Sequence, residues 1–431
     1  MSEAALRLEG IIIDASGLET RLSTTRALSL DLAAPLSAED QTVQAMEDAS
    51  PTKWHLAHTT WFFETFVLAP NLEGYRLFDE RFGFCFNSYY ETQGPRHPRP
   101  KRGLLTRPSV AEVVAYREHV DYALAQAFAR GVAQAPELAA MLELGLHHEQ
   151  QHQELMLTDV LALFAANPLR PAYREAQPVR RPASQRAPSA PSWTEFEGGV
   201  VRLGHQGQGF HWDNEEPSHQ VFLHPFRICD TLVTNGDWLE FMADGGYEQP
   251  TLWLSDGWAQ ARREGWRAPL YFEETDGEWR QMSLEGLRLL DPEAPVCHVS
   301  FYEADAFARW SGKRLPTEFE WEFAVRPADR RANDLSSRLL RPAPAPPGPG
   351  LRQMFGDVWE WTQSAYLPYP GYRPPAGAVG EYNGKFMSNQ MVLRGSSCVT
   401  PAAHARATYR NFFYPHQRWQ FMGLRLAELI E

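Results

Sequence analysis

Cysteine is scarce in this chain, with four in 431 residues at positions 85, 229, 297 and 398, and no C-x-x-C pair. That excludes a disulfide framework and a structural zinc knuckle. Long apolar runs are missing as well, and the opening residues from Met1 to Gly10 carry no basic flank leading into an apolar segment. No spanning helix, no signal peptide and a cytoplasmic address are therefore expected. Positive charge is in deficit: 41 Lys and Arg stand against 54 Asp and Glu, for a formal net charge of −13. Outside one short Arg-rich stretch nothing forms a basic stripe, which argues against nucleic acid and points to small-molecule partners.

What the chain does have is apolar material, 43% of residues with 12% aromatic, over a length too great for one ordinary core. Residues from about 20 to 165 read as mostly helical. Ser37-Ala-Glu-Asp40 resembles a helix start, and Ser50-Pro51 places an N-cap and a first-position proline ahead of Thr52 to Leu68. Ser109 to Arg130 and Pro136 to Ala166 complete four candidate helices, with a long aromatic and basic connection from Pro70 to Pro108. An antiparallel four-helix bundle is the simplest packing. Between Asn167 and Ser192 six prolines deny the backbone both helix and ladder donors, which reads as a surface linker. Beyond it the texture turns to Gly, Trp, Tyr, Phe and short apolar runs, the pattern of an irregular α+β domain. The Pro-rich patch Arg341–Gly350 reads as a loop inside that domain. The expected organisation is an α+β multidomain chain: a helical bundle over 1–166, a linker over 167–192 and a second domain over 193–431.

Chemistry concentrates in His147-His148-Glu-Gln-Gln-His152. His148 and His152 stand four apart in a strong helical pattern, so both imidazoles project from one face and make half a metal site. The same string matches H-E-x-x-H, the zinc metalloprotease helix in which the glutamate is a general base. A metzincin continuation is absent, since Leu155 and Thr158 stand where its glycine and third histidine would be. Upstream, Trp54-His55-Leu-Ala-His58-Thr-Thr-Trp61 offers His58 on a second helix, on the face shared with Trp54 and Trp61. His58, His148 and His152 would then surround one ion. Three neutral imidazoles leave coordination positions open, which suits non-haem iron binding a sulfur and dioxygen together, with zinc as the alternative. Glu149 and Glu154 receive no ligand role, and His55 and His147 are expected on other faces.

With these residues in hand, the chain resembles the iron-dependent sulfoxide synthases of ergothioneine biosynthesis, in which a DinB-like helical bundle is followed by a domain like that of the formylglycine-generating enzyme, itself of C-type-lectin-like fold. The resemblance rests on Ser50-Pro-Thr-Lys-Trp-His-Leu-Ala-His58 and His148-Glu-Gln-Gln-His152 in the first half. In the second it rests on Val233-Thr-Asn235, Pro295-Val-Cys-His-Val-Ser-Phe-Tyr302, Gly312-Lys-Arg-Leu-Pro-Thr-Glu-Phe-Glu-Trp321, Gly356-Asp-Val-Trp-Glu-Trp-Thr362, Leu393-Arg-Gly395, and Tyr409-Arg-Asn-Phe-Phe413 through Gly423-Leu-Arg425. It implies Fe(2+) and an oxygen-dependent step in which the thiolate of a cysteine-type substrate is joined to the imidazole C2 of hercynine (Nα-trimethylhistidine), leaving a sulfoxide.

The resemblance also implies roles. A phenol supplies a proton to a reduced oxygen species and diverts the reaction from simple thiol dioxygenation; Tyr89 or Tyr90 is expected there, with Tyr366, Tyr369 and Tyr372 competing. Gln151 matches a position that touches the hercynine imidazole, and Asn411 with Phe412 matches a wall near its trimethylammonium, where Phe412 or Phe413 could hold the cation. Arg96 and Arg99 match arginines that clamp the carboxylate of the thiol substrate, a task suited to a planar fork. Phe413 stands where some relatives carry an acidic residue for the ammonium of γ-glutamylcysteine, which shifts the expected sulfur donor to free cysteine.

Three rival functions follow from the same residues. Formylglycine generation uses a cysteine pair, and near Arg394-Gly-Ser-Ser-Cys-Val-Thr400 there is only Cys398. A zinc-dependent thiol transferase of DinB type would need no oxygen. An ovothiol-type synthase would join cysteine to unmethylated histidine at another ring carbon.

Overall fold

The computed structural model describes residues 15–175, 192–326, 328, 332–402 and 404–430. Two compact units divide the chain: Met1–Pro168 with Gly207–Asp213 and Arg373–Lys385, and Leu169–Gln206 with Asn214–Tyr372 and Phe386–Glu431. Two short segments from within the expected second domain, 193–431, therefore fold with the first unit.

The first unit is built on four helices, α1 (Ala15–Ala33), α2 (Thr52–Phe63), α3 (Val110–Ala129) and α4 (Pro136–Ala166). The first of them differs from expectation. Ser37 and Asp40 do exchange backbone-to-side-chain hydrogen bonds at 3.0 and 3.2 Å, but they close only a turn, because this capping chemistry serves an isolated turn as well as a helix. Ser50 is not the cap of α2 either: Pro51 stands there without a side-chain bond, and the Ser50 hydroxyl accepts from Arg102 at 2.9 Å. Past Phe63 the helix widens to a π-helical turn, Glu64–Leu68, a distortion found often at functional sites. Helix α3 begins as its residues dictate, with a reciprocal box between Ser109 and Glu112.

Close approach of α2 and α4 depends on Gly145. A Cβ there would lie 2.4 Å from the Phe63 ring and 2.9 Å from that of Phe62, so only glycine lets the helix carrying His148 and His152 sit against the helix carrying His58.

The second unit is α+β. Its strands are β1 (Trp193–Phe196), β2 (Gly199–Leu203), β3 (His219–Leu223), β4 (Phe226–Cys229), β5 (Phe272–Thr275), β6 (Glu278–Ser283), β7 (Gly286–Leu289), β8 (Trp359–Ala365), β9 (Met391–Gly395), β10 (Asn411–Phe413), β11 (Met422–Gly423) and β12 (Ala427–Leu429). They form small sheets in the orders β1-β4-β12, β10-β9-β8-β11, β2-β3 and β5-β6-β7. The signature motifs explain themselves physically. Thr234, Ser300 and Thr317 each open a helix with a capping box to Asp237, Glu303 and Glu320. Arg394, Arg410 and Arg425 are buried and pair with Glu322, Glu318 and Glu360 at 2.7, 2.8 and 3.0 Å. Arg394 also reaches Glu318, so the first two form one network, whereas removing one partner of Arg425–Glu360 would leave a buried charge uncompensated, at a cost of about 3–5 kcal/mol. The apolar core beside them gathers Phe226, Ile228, Trp321 and Ala427.

Of the expected linker, the described part packs: Tyr173 is buried and its N–H donates to the Leu284 carbonyl at 2.9 Å. Residues 176–191 lie outside the described residues. The Pro-rich stretch 341–350 belongs to the second unit. Among the described residues no helix is long and apolar enough to cross a membrane.

Candidate metal centre

His58 from α2 and His148 and His152 from α4 each offer a ring nitrogen, and these nitrogens lie within 4.8 Å of one another. The His58 and His148 Nε2 atoms are 3.2 Å apart. His58 is clamped between two indoles, stacked on Trp54 at 4.7 Å and on Trp61 at 5.7 Å. Its other nitrogen, Nδ1, donates to the Phe86 carbonyl at 2.6 Å, so in the neutral ring the lone pair is on Nε2.

All three imidazoles are held neutral. Burial is the main cause in each case: His58 and His152 are pushed well below the ordinary value, each further lowered by neighbouring histidines, and His148 falls to about 4. Two bare nitrogens facing at 3.2 Å repel unless a proton or a cation lies between them. The Nδ1 of His148 is buried with no hydrogen-bond partner among the described residues, which leaves its orientation to packing. Three neutral nitrogen donors with no carboxylate in the set fit an ion of the iron or zinc type.

The environment of the remaining residues decides between readings. Glu149, the glutamate of the H-E-x-x-H string, takes hydrogen bonds from Ser29 at 2.6 Å, Arg26 at 3.0 Å and Arg117. Burial alone would raise its carboxyl, but the two guanidiniums and the hydroxyl outweigh this and hold it below the ordinary range. It is a structural anion turned to α1 and α3, and this removes the general base that the metalloprotease reading needs. Glu154 is buried in α4. His147 stacks on Phe210 at 3.8 Å. His55 departs from expectation: its Nδ1 is 2.8 Å from His152 Nδ1, because three residues before His58 it shares that face of the helix.

The connection between α2 and α3 gathers Tyr89, Tyr90, Arg96 and Arg99 within the first unit. Tyr90 is buried against Phe66 at 5.1 Å and Trp61 at 5.7 Å, and burial pushes its phenol above the ordinary range. The Tyr89 hydroxyl accepts from Arg99 at 2.6 Å. Arg96 is engaged by Glu91 at 2.8 Å and the Ser88 carbonyl at 2.6 Å. Gln151 is half-buried on α4.

Asn411, Phe412 and Phe413 form β10 in the second unit, paired with Leu393, Val392 and Met391 of β9. Phe412 stacks on Tyr366 at 4.1 Å, and Phe413 meets Trp419 edge-on at 5.8 Å. Tyr366 and Tyr369 are core residues of that unit: the Tyr366 hydroxyl accepts from Asn214 at 2.8 Å, and that of Tyr369 accepts from Arg394 at 3.0 Å.

Two residues escaped the sequence reading. Tyr382 lies in the segment that joins the first unit, with its ring 6.1 Å from that of Tyr89. The same segment holds the tyrosine connection in place: Glu381 accepts from the Glu91 and Thr92 N–H groups at 2.9 and 3.2 Å, and Lys385 donates to the Tyr89 carbonyl. Nothing local marks it, since the signal is a polar, glycine-flanked aromatic between two strand patterns. Arg102 is buried, 3.3 Å above the Trp54 ring, donating to the hydroxyls of Ser50 and Ser88. Burial, with Arg99 adding, lowers it to about 9. Its signal was legible: Arg99 opens a 3₁₀-helix, Arg99–Leu104, and Arg102 follows three residues on, where residues three apart eclipse.

Comparison with known proteins adds to this geometry. Residues 21–156 match the family description "DinB superfamily", and residues 179–338 and 341–430 match "Sulfatase-modifying factor enzyme 1-like domain". The chain is 33% identical over 408 residues to a hercynine oxygenase of Mycolicibacterium thermoresistibile, covering 88% of this chain and 87% of that protein. It is 35% identical over 306 residues to the hercynine oxygenase of Mycobacterium tuberculosis, covering 65% and 70%. It is also 32% identical over 315 residues to a formylglycine-generating enzyme of Streptomyces coelicolor, covering 62% of this chain and 96% of that protein.

Proposed function

The chain belongs to the hercynine oxygenase family, and from that premise we propose that it joins the sulfur of cysteine to the imidazole C2 carbon of hercynine, with Fe(II) on His58, His148 and His152 and dioxygen as oxidant. The observation that carries the reading is the convergence of three neutral imidazoles with Glu149 withdrawn from them.

In the overall reaction the thiol S–H and the ring C2–H are lost, the C–S bond forms, one oxygen atom becomes the sulfoxide and the other leaves as water. Iron, when bound, supplies Lewis acidity toward the thiolate and electrons toward dioxygen. The protein's own residues do the rest. Trp54 and Trp61 fix the His58 ring from both faces and keep water from it. Among the described residues the Arg99 guanidinium has no carboxylate hydrogen-bond partner, which suits it to the carboxylate of the sulfur donor, whereas Arg96 already holds Glu91. A phenol of the Tyr89, Tyr90 and Tyr382 group delivers the proton that separates C–S bond formation from thiol dioxygenation. Phe413, apolar and half-buried, favours cysteine over γ-glutamylcysteine. Gln151, Asn411 and Phe412 are proposed for hercynine on the family resemblance.

Aerobic incubation of Fe(II)-loaded protein with hercynine plus cysteine or γ-glutamylcysteine, with histidine in place of hercynine as control, tests the proposal by mass spectrometry and oxygen uptake. The expected product is the hercynyl–cysteine sulfoxide. Turnover of histidine in preference to hercynine would favour the ovothiol-type reaction, and no oxygen uptake with any pair would overturn the oxygenase reading.

A further inference from the structure

Behind the triad stands a second pair of buried groups that metal coordination does not use. His55 and Asp159 are 3% and 7% exposed. His55 Nε2 lies 3.1 Å from Asp159 Oδ2, and the same oxygen accepts the Ser50 N–H at 2.8 Å. On its other side, His55 Nδ1 faces His152 Nδ1 at 2.8 Å. A carboxylate can only accept, so His55 donates from Nε2. Neutral His55 then carries its lone pair on Nδ1, and His152 donates its Nδ1–H to it. That leaves the lone pair of His152 on Nε2.

We propose that Asp159 and His55 form a relay that sets the tautomer of His152 and aims its Nε2 lone pair at the ion. Both are positioning residues, and the inference rests on the three-histidine reading of the metal centre. The three ligands are then held unequally. His58 is fixed by a backbone carbonyl and His152 by a chain of two side chains ending on a backbone N–H, while the far nitrogen of His148 has no partner among the described residues. Partners of this kind fix ring orientation and raise ligand basicity, and their loss costs about 10- to 100-fold in metal affinity. Without Asp159, His55 is free to carry its proton on Nδ1, which would press the His152 proton onto Nε2 and block the ligand atom.

The test is metal affinity of the full-length metal-free protein, titrated with Co(II) and with Zn(II) against a competing chelator. His55→Ala and Asp159→Ala should each bind about 10- to 100-fold more weakly, and the double variant no more weakly than His55→Ala, because Asp159 acts through His55. His55→Gln, whose amide oxygen can accept the His152 Nδ1–H, should recover most of the loss. His147→Ala, a buried histidine elsewhere on α4, should bind as the parent does. Unchanged affinity in both single variants, or losses that multiply in the double variant, would overturn the relay. If His55→Ala folds poorly, His55→Phe keeps the ring volume beside Trp54 and carries the same expectation. His152→Ala separates the two levels: full affinity there would sink the three-histidine centre itself, whereas loss there with unchanged His55 variants would sink only the relay.

Discussion

Glu149 Oε2 lies 3.0 Å from Arg26 Nη1, so the residue that follows His148 in the chain is bound into the ionic centre of the bundle. Both Glu149 and Arg117 are 1% exposed, and their pairing closes the network between α1, α3 and α4. Glu149→Ala should therefore destabilise the fold by about 3–5 kcal/mol in chemical denaturation, because Arg117 loses its carboxylate partner while Arg26 keeps only Asp121. Metal affinity of the folded fraction should stay near the parent value. A variant of parental stability that has lost its metal would return Glu149 to the centre.

Gly145 sets the spacing on which the triad depends. Gly145→Ala puts a methyl 2.4 Å from the Phe63 ring, and the buried neighbours have little room to yield. Loss of about 1–3 kcal/mol of stability is expected, together with weaker metal binding as α2 and α4 separate. Differential scanning calorimetry and a Co(II) titration would read the two effects. Parental values in both would mean that the helices accommodate a side chain there.

Product partition should identify the proton donor. Each of Tyr89→Phe, Tyr90→Phe and Tyr382→Phe keeps ring packing and removes one hydroxyl. In the correct variant sulfoxide formation should fall by roughly 100-fold while cysteine sulfinate rises, in line with the loss of a positioned acid. Mass spectrometry of the products distinguishes the three. Unaltered ratios in all of them would remove this cluster from the chemistry.

Acid should destabilise the metal-free protein in a defined window. Burial lowers His148 from 6.5 to about 4, so the unfolded chain takes its proton first. Its contribution is fully present above about pH 6.5 and is lost as pH falls toward 4, amounting to about 3 kcal/mol. His58 and His152 shift in the same direction. Urea midpoints of the metal-free protein should drop between about pH 6.5 and 4.5, and His148→Gln should flatten that drop. A parent midpoint constant across the window would show that the imidazoles are not buried in neutral form.

The sequence by itself determined the local features. Helical spacing paired His148 with His152 and placed His58 between Trp54 and Trp61, because side chains three and four apart on a helix share a face whatever surrounds it. Ser109 with Glu112 started α3, and the signature motifs of the second half carried their own capping boxes. Tertiary structure decided what depends on contacts between distant segments. It turned Glu149 inward to Arg26 and Arg117, put His55 behind His152, and drew Arg373–Lys385 into the first unit so that Tyr382 meets Tyr89. Those outcomes turn on which buried charges and ring nitrogens find partners from other helices, and a local pattern has no way to encode a partner about 100 to 290 residues away.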